Sequence, residues 1–344
     1  GNLTPEINYR YCLSEHQPRK GNYLSVSSIA VTNLTSVAVL AFFLGVLGSR
    51  IKSNLQLPDA AYQFISMYLL FGIGLKGGMK LDSTEFGDLS KPLVLTVALG
   101  IVIPFLAFTV LRVMTKIDEL NRGAIAAHYG STSLVTFTAA LVFLESNKIA
   151  YDGYATTLLT VMEIPGLIVG IYLGSRHLQK GVSWAESIKE IIFGKTVLLL
   201  AGGLLVGAIS GEKGYVNVSP FFDDLKQGFL ALFLLHLGYL AGTQIKQIKQ
   251  AGALYAVFAL LFPVLAGSVG VVTSHFAGMN AGGSLLFGVL CASASYIAAP
   301  AAVGIAMPEA SKSLPIVASL GVTFPFNLII GIPYLYWLAT AISG

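Results

Sequence analysis

Apolar stretches of bilayer-spanning length recur along almost the whole chain, separated by short polar connections. A membrane helix needs roughly 20 mainly apolar residues. Ten stretches meet or approach that length, at about 29–47, 60–75, 92–113, 123–143, 156–174, 195–210, 228–242, 251–276, 283–307 and 314–342. The second and seventh are short, and the ninth is rich in Ser, Ala and Gly. Only 11% of the residues are charged, against about 25% in a typical soluble domain. A soluble chain so poor in charge could not cover its surface, whereas lipid lets apolar side chains face outward. The sequence reads as an all-α polytopic membrane protein of about ten transmembrane helices.

Several function classes drop out. The net charge is +4, and its basic residues are scattered, so nucleic acid is not an expected partner. Cys12 lies in a polar segment and Cys291 in an apolar one, which argues against a disulfide. His16, His128, His177, His236 and His275 show no HxxxH or HExxH spacing, so no metal centre of that kind is indicated. No serine–histidine pair, aspartate pair or zinc spacing points to an enzyme. Residues 1–24 are polar and lack the features of a signal peptide; they read as a leader or remnant outside the fold. The Asn-Leu-Thr triplets at 2–4 and 33–35 are assigned no role.

Lys and Arg are biased toward one side of the membrane. Odd-numbered connections hold Arg50, Lys52, Arg112, Lys116, Arg122, Arg176, Lys180, Lys189, Lys195, Lys246, Lys249 and Lys312. Even-numbered ones hold Lys76, Lys80, Lys91, Lys148, Lys213 and Lys226. The positive-inside rule places the odd connections in the cytoplasm and both termini outside. The midpoint, about 175–194, carries Trp184, Ile188, Ile191 and Ile192 at spacings that allow an amphipathic helix or a solvated linker.

The two halves repeat at a nearly constant offset. Gly45 pairs with Gly207 and Pro58 with Pro220 (162 apart). Gly74 pairs with Gly238 and Gly78 with Gly242 (164 apart). Pro104 pairs with Pro263 (159 apart), Ser131 and Ser133 with Ser293 and Ser295 (162 apart), and Pro165 with Pro325 (160 apart). The implied organisation is a first five-helix repeat over 25–175, a cytoplasmic linker over 176–194 and a second repeat over 195–344. A repeat with an odd number of spans is inverted in the bilayer relative to its copy. That is a recurrent architecture of secondary transporters, which bind substrate near the midplane between broken helices. Half-helix N-termini aim N–H groups and positive dipole ends at an anion, while carbonyls and hydroxyls take a cation.

The segments expected to break are 127–140 (AHYGSTSLVTFTAA) and 291–303 (CASASYIAAPAAV). Each clusters small and hydroxyl residues, and Gly130 and Pro300 supply helix-breaking chemistry. Close packing of small residues is the plainer alternative for either segment alone. The two clusters at matching positions favour a pair of interruptions.

At these residues the chain resembles the sodium-dependent bicarbonate transporter family of cyanobacteria and other bacteria. The likeness runs from about Phe42 to Ile342, through FGIGLKGGM at 71–79, LESNKIAYDGY at 144–154, VMEIPGLI at 161–168 and SASYIAAPAAVGIAMPEAS at 293–311. It implies a ten-helix fold with a core domain moving against a scaffold, in the bacterial inner membrane. It also implies a homotrimer, sodium-coupled bicarbonate uptake and, in some members, inhibition by a small cytoplasmic PII-like protein. Positions matching the family's site motifs are Gly130, Ser133, Thr136, Ser293 and Ser295. The chain departs from the family at Tyr296, where well-studied members follow the serines with an acidic residue. The cation site then has one formal negative charge fewer at that position.

Bicarbonate is a small planar monoanion, and its carrier needs hydrogen-bond donors but little fixed positive charge. No Lys or Arg lies in either interruption. Entry into a negative-inside cell is opposed by about 2.3 kcal/mol per charge per 100 mV, a term that one Na+ cancels. No cofactor is expected beyond Na+ as coupling ion. As a hard cation, Na+ takes oxygen ligands, here from Ser133, Thr136, Ser293 and Ser295, with Ser131 and Thr132 nearby. Tyr296 either donates to the substrate or packs. Glu163 is an acid in an apolar run, a functional candidate for coupling or a polar core residue. Asn327, at the corresponding place in the second half, is a candidate polar partner. His128, and likewise His236, is a candidate proton carrier or a packing residue.

Two other classes stay open. One is another ten-helix inverted-repeat carrier, of an organic anion or of Na+ against H+. The other is a non-transporting membrane sensor or scaffold presenting the 175–194 segment to a partner.

Overall fold

The computed structural model describes residues 31–343 apart from 32, 54, 82, 83, 85 and 177–181. The expected leader at 1–24 lies outside the described residues. Among the described residues all regular structure is helical. In chain order the helices are α1 (Val37–Arg50), α2 (Asp59–Leu81), α3 (Phe86–Met114), α4 (Glu119–Gly130), α5 (Leu134–Ser146), α6 (Ala155–Ser175) and α7 (Trp184–Phe193). Then come α8 (Lys195–Val216), α9 (Lys226–Ala251), α10 (Ala253–Phe276), α11 (Ala281–Ala292), α12 (Ala299–Ala306) and α13 (Ser313–Ser343). A π-turn at Pro220–Asp224 leads into α9, and two more, Ser319–Thr323 and Asn327–Gly331, lie within α13.

Local chemistry places several boundaries. Ser36, Asp118 and Asn280 cap α1, α4 and α11 by accepting the N–H groups of Val39, Asn121 and Gly283, bonds that serve otherwise orphaned first-turn donors. Gly252, at φ 97°, makes the turn between α9 and α10, a conformation that suits glycine.

Among the described residues, eight stretches are long and apolar enough to cross a bilayer: 59–81, 87–114, 119–146 (α4 and α5 together), 155–175, 195–216, 220–248, 253–276 and 313–343. Two shorter apolar helices, α1 and α11, lie in the first and ninth expected stretches. The second and seventh stretches are longer than their apolar runs, at 23 and 29 residues. Lys76, Lys80 and Lys226 interrupt or bound those runs in hydropathy. In the fold Lys76 and Lys226 are ion-paired, so helix continues past them.

Helices pack in two sets. Helix α2 lies along α8 and α1 along α9, while α3 packs on α4 and α6, and α10 on α11 and α13. Glycines bring the first set together backbone to backbone. A Cβ on Gly74 or Gly78 would overlap the α8 backbone at Leu200 or Leu204, and one on Gly207 would overlap α2 at Leu75. Likewise Gly45 abuts Leu235 of α9, and Gly238 abuts Phe42 of α1. Helix α7 buries Ile191 against Ala299, Ala302 and Val303 of α12, so of the two forms open to the midpoint segment the described part, Trp184–Phe193, takes the amphipathic helix. Its Ile188, Ile192 and Phe193 remain exposed.

Candidate functional site

Both expected interruptions are present. Helix α4 ends at Gly130 and α5 begins at Leu134, leaving Ser131–Ser133 non-helical. Helix α11 ends at Ala292 and α12 begins at Ala299. The two gaps are tied to each other. Ser133 N–H donates to Ser293 Oγ at 2.9 Å. Ser295 N–H donates to the carbonyl of His128 at 2.7 Å and to that of Ser131 at 3.1 Å. Backbone groups that a continuous helix would satisfy internally are thus satisfied across the crossing, as hydrocarbon surroundings require.

Ser133 caps α5, and Ser295 lies three residues before the N-cap of α12, Ala298. Ser133 Oγ accepts the Thr136 N–H at 3.3 Å and its hydroxyl at 3.0 Å. Ser295 Oγ accepts the N–H groups of Ala298 and Ala299, each at 3.2 Å. Two helix N-termini therefore meet here, each leaving first-turn N–H groups without intrahelical partners. A pocket between them is lined by Leu70, Thr132, Ser133, Leu134, Glu163, Thr196, Ser295, Tyr296, Ile297 and Ala298.

The remaining site candidates sort by what they touch. Gly130 is packed against Gly166 and Pro104, so its part in the crossing is close approach. Ser131 donates to Glu163 Oε1 at 3.3 Å. Thr132 Oγ1 and Tyr296 Oη are buried without a hydrogen-bond partner, and both residues line the pocket. The Tyr296 ring meets that of Phe324 edge-on at 5.5 Å. Gly130, Ser131, Thr136 and Ser293 are not among the pocket's lining residues. Asn327 donates to the carbonyl of Ala292 at 2.8 Å, holding the end of α11 much as Ser131 and Glu163 meet at the end of α4. His128 Nδ1 lies 2.8 Å from the carbonyl of Ala124. His236 Nδ1 accepts the Leu57 N–H and packs on Tyr62. Both histidine rings have local structural partners.

Glu163 also lines a wider cleft with Tyr62, Gln63, Ser66, Glu190, Lys195 and Ala298. That cleft runs toward the junction of α7 and α8, where Lys195 is exposed.

A family model of the Na+-dependent bicarbonate transporter superfamily matches residues 37–340. The chain belongs to this superfamily. No curated protein sequence matches the chain significantly. Membership of the superfamily and the many apolar helices make it a multi-pass membrane protein of a transporter family, with sodium and bicarbonate as the superfamily's ion and substrate.

One feature of this superfamily member was not apparent from sequence. At the end of the bundle opposite α7, Lys76 lies 3.1 Å from Glu145 and 2.7 Å from Asp223, and Lys226 lies 2.6 Å from Glu145. Tyr151 and Tyr215 donate to Glu145 and Asp223. The charges come from α2, the end of α5, the π-turn and α9, and the two tyrosines add the α5–α6 connection and the end of α8. Its only sequence trace is a set of charges at the margins of apolar runs, with no spacing to pair them.

Proposed function

We propose that the protein is a secondary active transporter that couples Na+ entry to uptake of bicarbonate or a similar small anion. The observation that carries this reading is the pocket at the crossing, where two half-helix N-termini and free hydroxyls converge without a Lys or Arg. Such a site offers donors and dipole ends to an anion without holding it by a fixed charge.

In this reading the fold is two inverted five-helix repeats, 25–175 and 195–344, joined by a cytoplasmic linker. The glycine contacts support it. Shifting Gly74, Gly78 and Gly207 by the repeat offset gives Gly238, Gly242 and Gly45, so the α2–α8 crossing has its counterpart in α9–α1. The bundle of α3–α6 and α10–α13 is the moving core, and α1, α2, α8 and α9 are the scaffold. The Lys/Arg bias puts the linker in the cytoplasm of a bacterial plasma membrane, with both termini outside. The cleft leading to Glu163 then opens inward, and the Lys76–Glu145–Asp223–Lys226 network closes the outer end. Family likeness adds a homotrimer and a PII-like cytoplasmic regulator, for which exposed Ile188 and Ile192 of α7 offer a contact.

The test is uptake of labelled bicarbonate by proteoliposomes with and without an inward Na+ gradient, followed by competition from small inorganic anions and carboxylates. Uptake that rises with the gradient and is competed by small planar anions is the expected result. Equal uptake in both conditions removes sodium coupling. Strong competition by larger carboxylates alone reassigns the cargo to an organic anion.

A further inference from the structure

Glu163 is 2% exposed and makes one long hydrogen bond, from Ser131 Oγ at 3.3 Å. Among the described residues no basic side chain forms an ion pair with it. An acid in this setting is costly as a bare charge and needs a counter-charge or a proton. Beside it in the same pocket stands Thr132, whose Oγ1 is 3% exposed at the residue level and has no partner. The Ser293 hydroxyl already bridges the two interruptions, and those of Ser295 and Thr136 are engaged in local bonds at the starts of the second half-helices. The oxygens of this pocket not committed to the fold are therefore those of Glu163, Thr132 and Tyr296, and of these only Glu163 carries a charge.

We propose that Glu163 is the anionic ligand of the coupling Na+, with the hydroxyls of Thr132 and Ser131 as its neighbouring oxygen donors. This rests on the sodium-coupled reading above and gives it a residue. A hard monovalent cation fits a site of one carboxylate and neutral oxygens, which cancels its charge and no more. A proton would neutralise the acid but leave Thr132 Oγ1 unsatisfied. The placement also orders binding. Before Na+ binds, the Glu163 carboxylate repels an incoming anion from the pocket it lines. Once Na+ is held, the same wall attracts it.

The test uses the purified full chain in lipid nanodiscs. Binding of 22Na+ is measured first without bicarbonate, then bicarbonate binding is measured with and without Na+. The wild type is expected to bind Na+ saturably, and Na+ to tighten bicarbonate binding. Glu163→Gln is expected to weaken Na+ binding at least about tenfold, since even outer-shell partners of a bound metal are worth that much, and to make bicarbonate binding independent of Na+. Glu163→Asp keeps the charge and is expected to retain weakened Na+ binding. Thr132→Val preserves shape and charge, so it reads the site even if Glu163→Gln does not fold; it too is expected to weaken Na+ binding. Wild-type Na+ affinity in Glu163→Gln, or in Thr132→Val, overturns the assignment while leaving sodium coupling to other ligands. A wild type that binds no Na+ overturns both this assignment and the sodium-coupled reading.

Discussion

Lys226 Nζ lies 2.6 Å from Glu145 Oε2, which fastens the start of α9 to the end of α5. The Lys226 side chain is only 7% exposed, and that of Glu145 23%. Removing one partner of so enclosed a pair leaves the other charge uncompensated, a larger loss than the pair's own contribution. Glu145 faces both Lys226 and Lys76, so Glu145→Gln takes a carboxylate from two cations and leaves both to Asp223, 2.7 Å from Lys76 and 3.7 Å from Lys226. We expect it to cost about 2 kcal/mol, seen as a Tm lower by several degrees in detergent. Lys226→Met should cost less, because Glu145 keeps Lys76. A double-mutant cycle should return a coupling near 1 kcal/mol or more; additive losses would show the contact to be idle.

Gly166 and Gly130 form the closest approach at the first interruption. A Cβ on Gly166 would overlap the carbonyl of Gly130, and backbone cannot swing aside as a side chain can. Gly166→Ala should therefore cost about 1–3 kcal/mol from overpacking and abolish most uptake, because the shift lands on the Ser131–Ser133 gap. The control is Gly202→Ala, where a Cβ meets nothing within 4 Å. There the better helix former should be neutral or stabilise by up to about 1 kcal/mol, with uptake unchanged. Comparable uptake by the two variants would detach the site from the α4–α6 crossing.

How much of this was legible in the sequence varies by residue. The interruptions were readable because Gly130–Ser133 and Ser293–Ser295 lack the bulky apolar side chains that lipid or core demands, and the cluster occurs twice. Their cross-ties were not, because no local pattern relates the Ser133 amide to Ser293 Oγ, 160 positions away. Nor does hydropathy report direction. Glu163 was conspicuous as an acid, but only the packing of α6 shows that it lines the pocket with Thr132 and Tyr296. The same blindness shortened the second expected span, since Lys76 scores as polar whether or not Glu145 and Asp223 neutralise it.

Tyr296 offers a way to separate a substrate contact from packing. Its ring is held against Phe324, and its hydroxyl is buried beside Ser133 without a hydrogen bond of good geometry. An unsatisfied buried polar group costs about 1–3 kcal/mol, so Tyr296→Phe should leave the Tm unchanged or raise it. Uptake should nevertheless fall several-fold if the hydroxyl serves the anion. A lowered Tm together with lowered uptake would assign the hydroxyl to the fold instead.

The connection between α5 and α6 supplies a pH-dependent prediction. Asp152 accepts from the Asn280 backbone N–H at 3.1 Å and from its side-chain amide at 3.2 Å, tying this connection to the cap of α11. Burial raises the Asp152 pKa above its ordinary value, and nearby Asp88 adds to the rise, while the Asn280 backbone bond opposes it. A carboxyl whose pKa is raised by folding binds more protons folded than unfolded. Its contribution to stability therefore falls as pH rises through the interval from the ordinary Asp value, about 3.9, to the raised one. Above that interval the wild type carries the full penalty of a partly buried carboxylate. Asp152→Asn has no such charge, though it gives up an acceptor to Asn280. The Tm difference, Asp152→Asn minus wild type, should become more positive from pH 4 upward and then level off. A difference that stays flat, or falls, across that range would show that the burial of Asp152 does not govern its protonation.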